Sequence, residues 1–217
     1  MARDAGSDKR AYRMGARAVA AERTAEKIQD AAMELFRSRP FPEVTLQAIA
    51  AAAGVTLQTV LRRFGSKEQV FTEAAKRQMT SIFKAREITA AGGIAAIVDT
   101  IVASYEDMGD LNWRGVTQED QFPLIKQFFD QARARHRKWI ETCFAGLIGR
   151  AHRRERERRI HLLFAATDFY VWKLYRRDLG MSRAMTTAHM RDLVTALARD
   201  LGDGNEEISV RNGRGRR

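Results

Sequence analysis

The residues with the most chemistry to offer stand in GVTLQTVLRRFGSKEQVF, residues 54–71. Gln58 carries an amide that can pair with the major-groove edge of adenine, and Thr56, Leu57 and Thr59 can touch a thymine methyl. Arg62 and Arg63 follow one helical turn later and suit phosphates, or a guanine edge. Ser66 and Lys67 stand where a further helix would begin. Unpaired N–H groups and the positive end of the dipole favour phosphate at such a start, and Lys67 adds a charge. Thr45, upstream, can donate to a phosphate too. Phosphate contacts would position the chain on a duplex and base contacts would specify the sequence.

Those side chains need short elements held at a fixed angle. Ile28, Ala31, Ala32, Leu35 and Phe36 mark one face of a helix over roughly 23–38, which Pro40 and Pro42 end. Thr45 reads as the N-cap of a second helix with Leu46, Ile49 and Ala50 inward, and Gly54 as its left-handed stop. Thr56 caps a third helix, with Val60 and Phe64 on its buried face, and Gly65 stops it. Ser66-Lys67-Glu68-Gln69 reads as a capping box. It opens a long fourth helix striped by Val70, Phe71, Ala74, Ala75, Met79, Ile82 and Phe83. Leu46, Ala50, Gly54 and Val60 have the spacing of a helix-turn-helix, which lays its second helix in the major groove.

The whole chain fits that chemistry. It has 217 residues, 45% of them hydrophobic, with a formal net charge of +11 and a pI near 10.4. That is apolar enough for a core and basic enough for a polyanionic partner. The single cysteine, Cys143, excludes an intramolecular disulfide. The start MARDAGSDKRAYRM lacks the apolar run of a signal peptide, and no run approaches the ~20 apolar residues of a membrane span. The expected location is the cytoplasm, at the nucleoid, with no membrane partner.

The remainder reads as all-α. Ile94, Ile97, Val98, Ile101, Val102 and Tyr105 mark a fifth helix, and residues 109–115 a loop. A long helix is predicted from Phe122 to about Gly149, with its stripe interrupted between Phe129 and Trp139, then helices over 155–176 and 183–201. The expected division is a basic mobile arm over 1–22, helical from Met14 onward, a DNA-binding domain over 23–70, a helical regulatory and dimerisation domain over 71–203, and a disordered basic tail over 204–217. The fourth helix bridges the two domains, and residues 89–93 form a break.

Residues 23–71 resemble the amino-terminal domain of the tetracycline-repressor (TetR) family of bacterial transcription regulators. The likeness lies in the apolar first helix, Phe41 before Val44-Thr45, Ala-Gly-Val at the turn, Thr59-Val60, Phe64 and Ser66-Lys67-Glu68. Where the family has aromatics around TVYRYF, this chain has Leu61 and Arg63. The first of those tyrosines often grips the DNA backbone, so the resemblance moves that task to Arg62 or Arg63. It further implies a three-helix reading head, a variable helical domain that binds a small effector, and a homodimer formed through the last two long helices. Double-stranded DNA is the implied partner; the effector's identity does not follow from the resemblance, and the large apolar side chains on the stripes suggest a mostly apolar molecule with one or two polar handles.

Other features have two readings. Arg10, Arg13 and Arg17 suit an arm in an adjacent minor groove, and equally a solvated tail. RRERERR, Arg153 to Arg159, reads as an exposed loop and helix start with local ion pairs. His136, His152, His161 and His189 lack metal-ligand spacing, so neither metal nor cofactor is expected. Cys143, on an apolar stripe, reads as a small buried hydrophobe. Phe83, Ile101, Tyr105, Phe128, Trp139, Cys143, Phe169 and Trp172 are candidates to line an effector pocket between helices, or are ordinary core. An enzyme reading finds no Gly-rich phosphate loop, metal cluster or recognisable triad. A ligand-independent, architectural DNA-binding protein shares the charge and the motif, and stays open as an alternative.

Overall fold

A computed structural model of the chain describes the backbone of residues 5–87, 92–149 and 151–213, with side chains over 15, 17–86, 92–149 and 151–202. Those residues form helices α1 (Ala5–Ser38), α2 (Leu46–Ala52), α3 (Leu57–Phe64), α4 (Lys67–Glu87), α5 (Gly93–Val116), α6 (Pro123–Cys143), α7 (Ala145–Ile148), α8 (Arg153–Thr167), α9 (Phe169–Lys173) and α10 (Arg183–Gly213). A 3₁₀ turn, Phe41–Glu43, precedes α2, and a π-helical turn, Leu174–Asp178, follows α9. The fold is all-α, as the sequence implies. The chain divides into two compact units, Met1–Gln78 and Met79–Arg217, so the division falls inside α4 rather than at residue 70.

The first unit is sealed by rings. Phe36 stacks on Phe41 at 5.5 Å, and both meet Phe71 edge-on, at 5.2 and 5.5 Å. Ile28, Ala32, Val44, Ile49, Ala50, Val60 and Val70 are buried with them. The helix predicted over 23–38 is the carboxy-terminal part of α1, which begins at Ala5. The arm is therefore helical well before Met14, its alanines being strong helix formers.

The second unit packs α5, α6, α8, α9 and α10 around Ile101, Tyr105, Trp139, Ile140, Leu163, Trp172 and Met190. Several elements here differ from the predicted ones. Residues 109–115 are not a loop; they complete α5. Gly109 and Gly115 are there for space. A Cβ on Gly109 would run into the Trp172 ring, and one on Gly115 would lie 2.6 Å from Phe129. The helix predicted from Phe122 ends at Cys143, and α7 restarts after Phe144, in a stretch that Gly146 and Gly149 make a poor helix. The helix predicted over 155–176 breaks at Asp168, whose backbone is extended (ψ 154°) and whose carboxylate caps α9 by accepting from Tyr170 N at 3.0 Å. The RRERERR run is not wholly exposed. Arg159 is buried, its guanidinium donating to Glu155 at 3.0 Å and to the Leu147 carbonyl. Helix α10 continues to Gly213, past the tail boundary expected at 204, and residues 214–217 lie outside the described ones. Among the described residues no helix is long and apolar enough to cross a membrane.

Candidate functional site

The turn between α2 and α3 is built by the residues the spacing singled out. Thr45 caps α2, its hydroxyl oxygen accepting from Ala48 N at 3.1 Å. Gly54 has φ +66°, a left-handed conformation that would strain a side chain. Around it Val55 N donates to Ala50 O at 3.0 Å and Gly54 N to Ala51 O at 3.2 Å, the paired bonds of a Schellman stop. Thr56 caps α3, accepting from Thr59 N at 3.2 Å, with the two hydroxyls 2.9 Å apart. Val60 is fully buried and anchors the helix.

That anchoring decides which side chains α3 offers to the outside. Thr56, Gln58, Arg62 and Arg63 are exposed; Leu57 and Thr59 are half-buried. The two arginines are not equivalent. Arg63 pairs with Glu22 of α1 at 2.8 Å, whereas Arg62 is exposed beside it. Leu61, in the place of the family's first tyrosine, is exposed too.

Gly65, at φ +77°, turns the chain from α3 into α4. Ser66 accepts from Gln69 N at 3.1 Å, but the Gln69 amide bonds Glu73 at 3.3 Å, so half of the expected capping box forms. Lys67 is tethered. Its ammonium donates to the Phe41 carbonyl at 2.8 Å and sits 4.3 Å over the Phe41 ring, fixing a positive charge at the start of α4. Of the arm residues, Arg17 is exposed, and the side chains of Arg10 and Arg13 lie outside the described ones.

Residues 28–74 match the family model of bacterial regulatory proteins, tetR family. The match covers the three-helix amino-terminal domain, which is thus similar to that of the tetR family. Solved structures extend the likeness. A tetR-family transcriptional regulator from Streptomyces coelicolor is 16% identical, covering 89% of this chain and 99% of its own, with a TM-score of 0.65. A transcriptional regulator from Rhodococcus sp. Rha1 is 14% identical, covering 81% of this chain and 96% of its own, also at 0.65. At such identities the likeness is one of fold, and it reaches into the second unit. No curated protein matches the chain in sequence.

In the second unit the pocket candidates do not all come together. Ile101, Tyr105, Trp139 and Trp172 are buried in one cluster, and Phe83, Cys143 and Phe169 pack against it half-buried. Phe128 is not part of that cluster; it meets Phe129 edge-on at 5.2 Å. Burial pushes the Cys143 thiol up to about 11, with Arg86 pulling weakly the other way, so it is a poor nucleophile.

The cluster surrounds polar residues that the sequence reading passed over. Arg86 of α4 is 5% exposed and His136 of α6 is 5% exposed. An Arg86 amino group lies 3.2 Å from His136 Nδ1, and the other donates to Ser104 at 3.3 Å. Burial first, and the Arg86 charge second, hold His136 down at about 3, so its ring is neutral near pH 7. Nδ1 must then accept from Arg86, which leaves the proton on Nε2 for Thr167 Oγ1, 3.1 Å away. Thr167 in turn donates to the Leu163 carbonyl at 2.7 Å. The Arg86 guanidinium also faces the rings of Phe83, Tyr105 and Trp139 at 5.2, 5.4 and 5.6 Å. A signal existed. Arg86 falls on the same α4 stripe as Met79 and Phe83, and His136 fills the gap in the α6 stripe between Phe129 and Trp139.

Proposed function

We propose that this chain is a sequence-specific DNA-binding transcriptional regulator, a repressor that acts as a homodimer on a roughly palindromic operator at the nucleoid and answers to a small molecule held in its second unit. One observation carries the reading: α3 is anchored by Val60, capped by Thr56, and turns Gln58 and Arg62 to the outside. A short helix fixed in this way fits the major groove with its amino-terminal residues on base edges. Gln58 then reads adenine, with Thr56, Leu57 and Thr59 beside the thymine methyl. Arg62, Thr45 and the Ser66–Lys67 helix start grip phosphates on either side. Arg63 is the weaker candidate, since Glu22 already neutralises it.

Two reading heads must meet successive major grooves about 34 Å, one helical turn, apart, or a multiple of that. Exposed Met185 and Leu193 on α10 support a dimer through the closing helices. An effector changes DNA affinity only by binding two conformations unequally. Helix α4 suits that coupling, because it carries Lys67 at one end and the buried Arg86 near the other.

The test compares affinity for a selected site with affinity for a scrambled duplex. Gln58→Ala should lower the preference by about 1–3 kcal/mol at the base pair it reads, leaving scrambled DNA bound as before. Lys67→Ala should weaken both alike and reduce the salt slope by about one. Unchanged preference in Gln58→Ala would remove α3 as the reading helix. Salt-dependent binding without any preference would favour the architectural alternative.

A further inference from the structure

Arginines in the second unit that are drawn out of water have acids beside them. Arg159 has Glu155 at 3.0 Å. Arg176 grips both oxygens of Glu106 at 2.6 and 3.0 Å, and Arg177 both oxygens of Asp110 at 2.7 Å. Arg137 takes Glu157, at 2.7 and 2.8 Å. Arg86 is more buried than Arg176, Arg177 or Arg137, yet among the described residues no carboxylate pairs with it. A guanidinium has five N–H donors and cannot shed its proton. Here one goes to a neutral imidazole and one to the Ser104 hydroxyl, the Tyr105 hydroxyl is a further neutral neighbour, and Nε is buried with no partner.

The surroundings soften the charge without cancelling it. Three ring faces and a neutral histidine disperse it, and the chain His136 to Thr167 to Leu163 O passes polarisation outward. The acid whose charge reaches this place is Asp168. Its carboxylate caps α9, and burial holds its pKa above the ordinary range, with Arg133 and Arg86 opposing. Exposed Arg135 adds a second positive charge, its guanidinium 5.8 Å from the centroid of the same Phe83 ring. A buried guanidinium that lacks its counter-ion is costly to maintain, and a bound anion would offset that cost.

We propose that the interior of the second unit binds a small organic anion, a carboxylate on an apolar body, with Arg86 as its counter-ion. The carboxylate takes the unmatched Nε–H of Arg86 and the hydroxyl of Ser104; the rings of Phe83, Tyr105 and Trp139 meet the apolar body. This rests on the effector-responsive reading above and names the chemistry of its ligand. It also makes the ligand a charged one, where the sequence implied a mostly apolar molecule.

The experiment uses the full chain and hexanoate, decanoate, benzoate and naphthoate, each beside its uncharged carboxamide. Binding is followed by thermal stability and by tryptophan fluorescence, and DNA release by anisotropy of a labelled selected site. At least one carboxylate should bind and its amide should not. Arg86→Met, which keeps the stem volume, should lower the affinity roughly 100-fold; Arg86→Lys, which keeps the charge, should lose less. Silence from every carboxylate, equal binding of the amides, or an affinity unchanged in Arg86→Met overturns the proposal. Amides that bind and release DNA would do so while leaving the effector reading intact. Arg86-dependent carboxylate binding without DNA release would keep the anion site and overturn that reading.

Discussion

Around Phe36, Phe41 and Phe71 the first unit buries ring against ring and turns its polar side chains outward; around Arg86 and His136 the second unit buries a charge and an imidazole among aromatic faces. The difference separates two ways of carrying function. In the first unit the candidate site is a surface supported by an apolar core, so residues that act and residues that stabilise are mostly different, the caps Thr45 and Thr56 and the tethered Lys67 excepted. In the second the candidate site lies inside the core, so the same residues do both.

The comparison is easiest to break at the first core. Phe41→Ala removes a ring that touches Phe36, Phe71 and the Lys67 ammonium, and should cost about 3–5 kcal/mol in denaturant unfolding. A loss below ~1 kcal/mol would mean that the rings do not hold the unit. Gly109→Ala sets a methyl group into buried Trp172 and should cost about 1–3 kcal/mol while leaving α5 helical by circular dichroism. Were it neutral, the close approach of α5 to α9 would be wrong.

A pH dependence is built into the second unit. His136 is held down at about 3 in the folded chain, while the unfolded imidazole takes its proton near 6.5. The unfolded state therefore binds more protons between those values. Stability is full above pH ~6.5 and falls as pH drops toward ~3, with a slope of at most ~1.4 kcal/mol per pH unit. His136→Gln keeps an acceptor for Arg86 and a donor for Thr167, and should flatten that slope. An identical acid profile in both proteins would show that His136 is not buried neutral. The smallest effects belong to α3. Thr56→Ala loses the cap and should cost ~1 kcal/mol. Gln58→Ala should stay within ~0.5 kcal/mol of the parent in stability, because Gln58 is exposed.

The same contrast explains what the sequence could tell. In the first unit periodicity, caps and stops agree: Val60 falls on the inward face, Thr45 and Thr56 cap, and Gly54 and Gly65 take positive φ. Each is a local rule, legible along the chain. The second unit depends on contacts distant in sequence. Gly109 reads as a loop until Trp172 is seen across from it, and Asp168 as one more polar residue until it caps α9. Arg86 carries the surface signature of its type, and only its place on the stripe of Met79 and Phe83 betrays burial. The Glu22–Arg63 pair, which separates two adjacent arginines in role, joins helices that no spacing rule connects.

The central claim is that α3 reads sequence, twice, in one dimer. Selection of bound duplexes from a random pool by the purified chain, with a salt titration on the winner, tests it directly. The account predicts an enriched, roughly palindromic consensus with half-sites about one helical turn, or a multiple of it, apart, and affinity that falls steeply with salt. Binding that depends on salt and enriches nothing would contradict it, leaving the net charge of +11 as the reason the protein holds DNA.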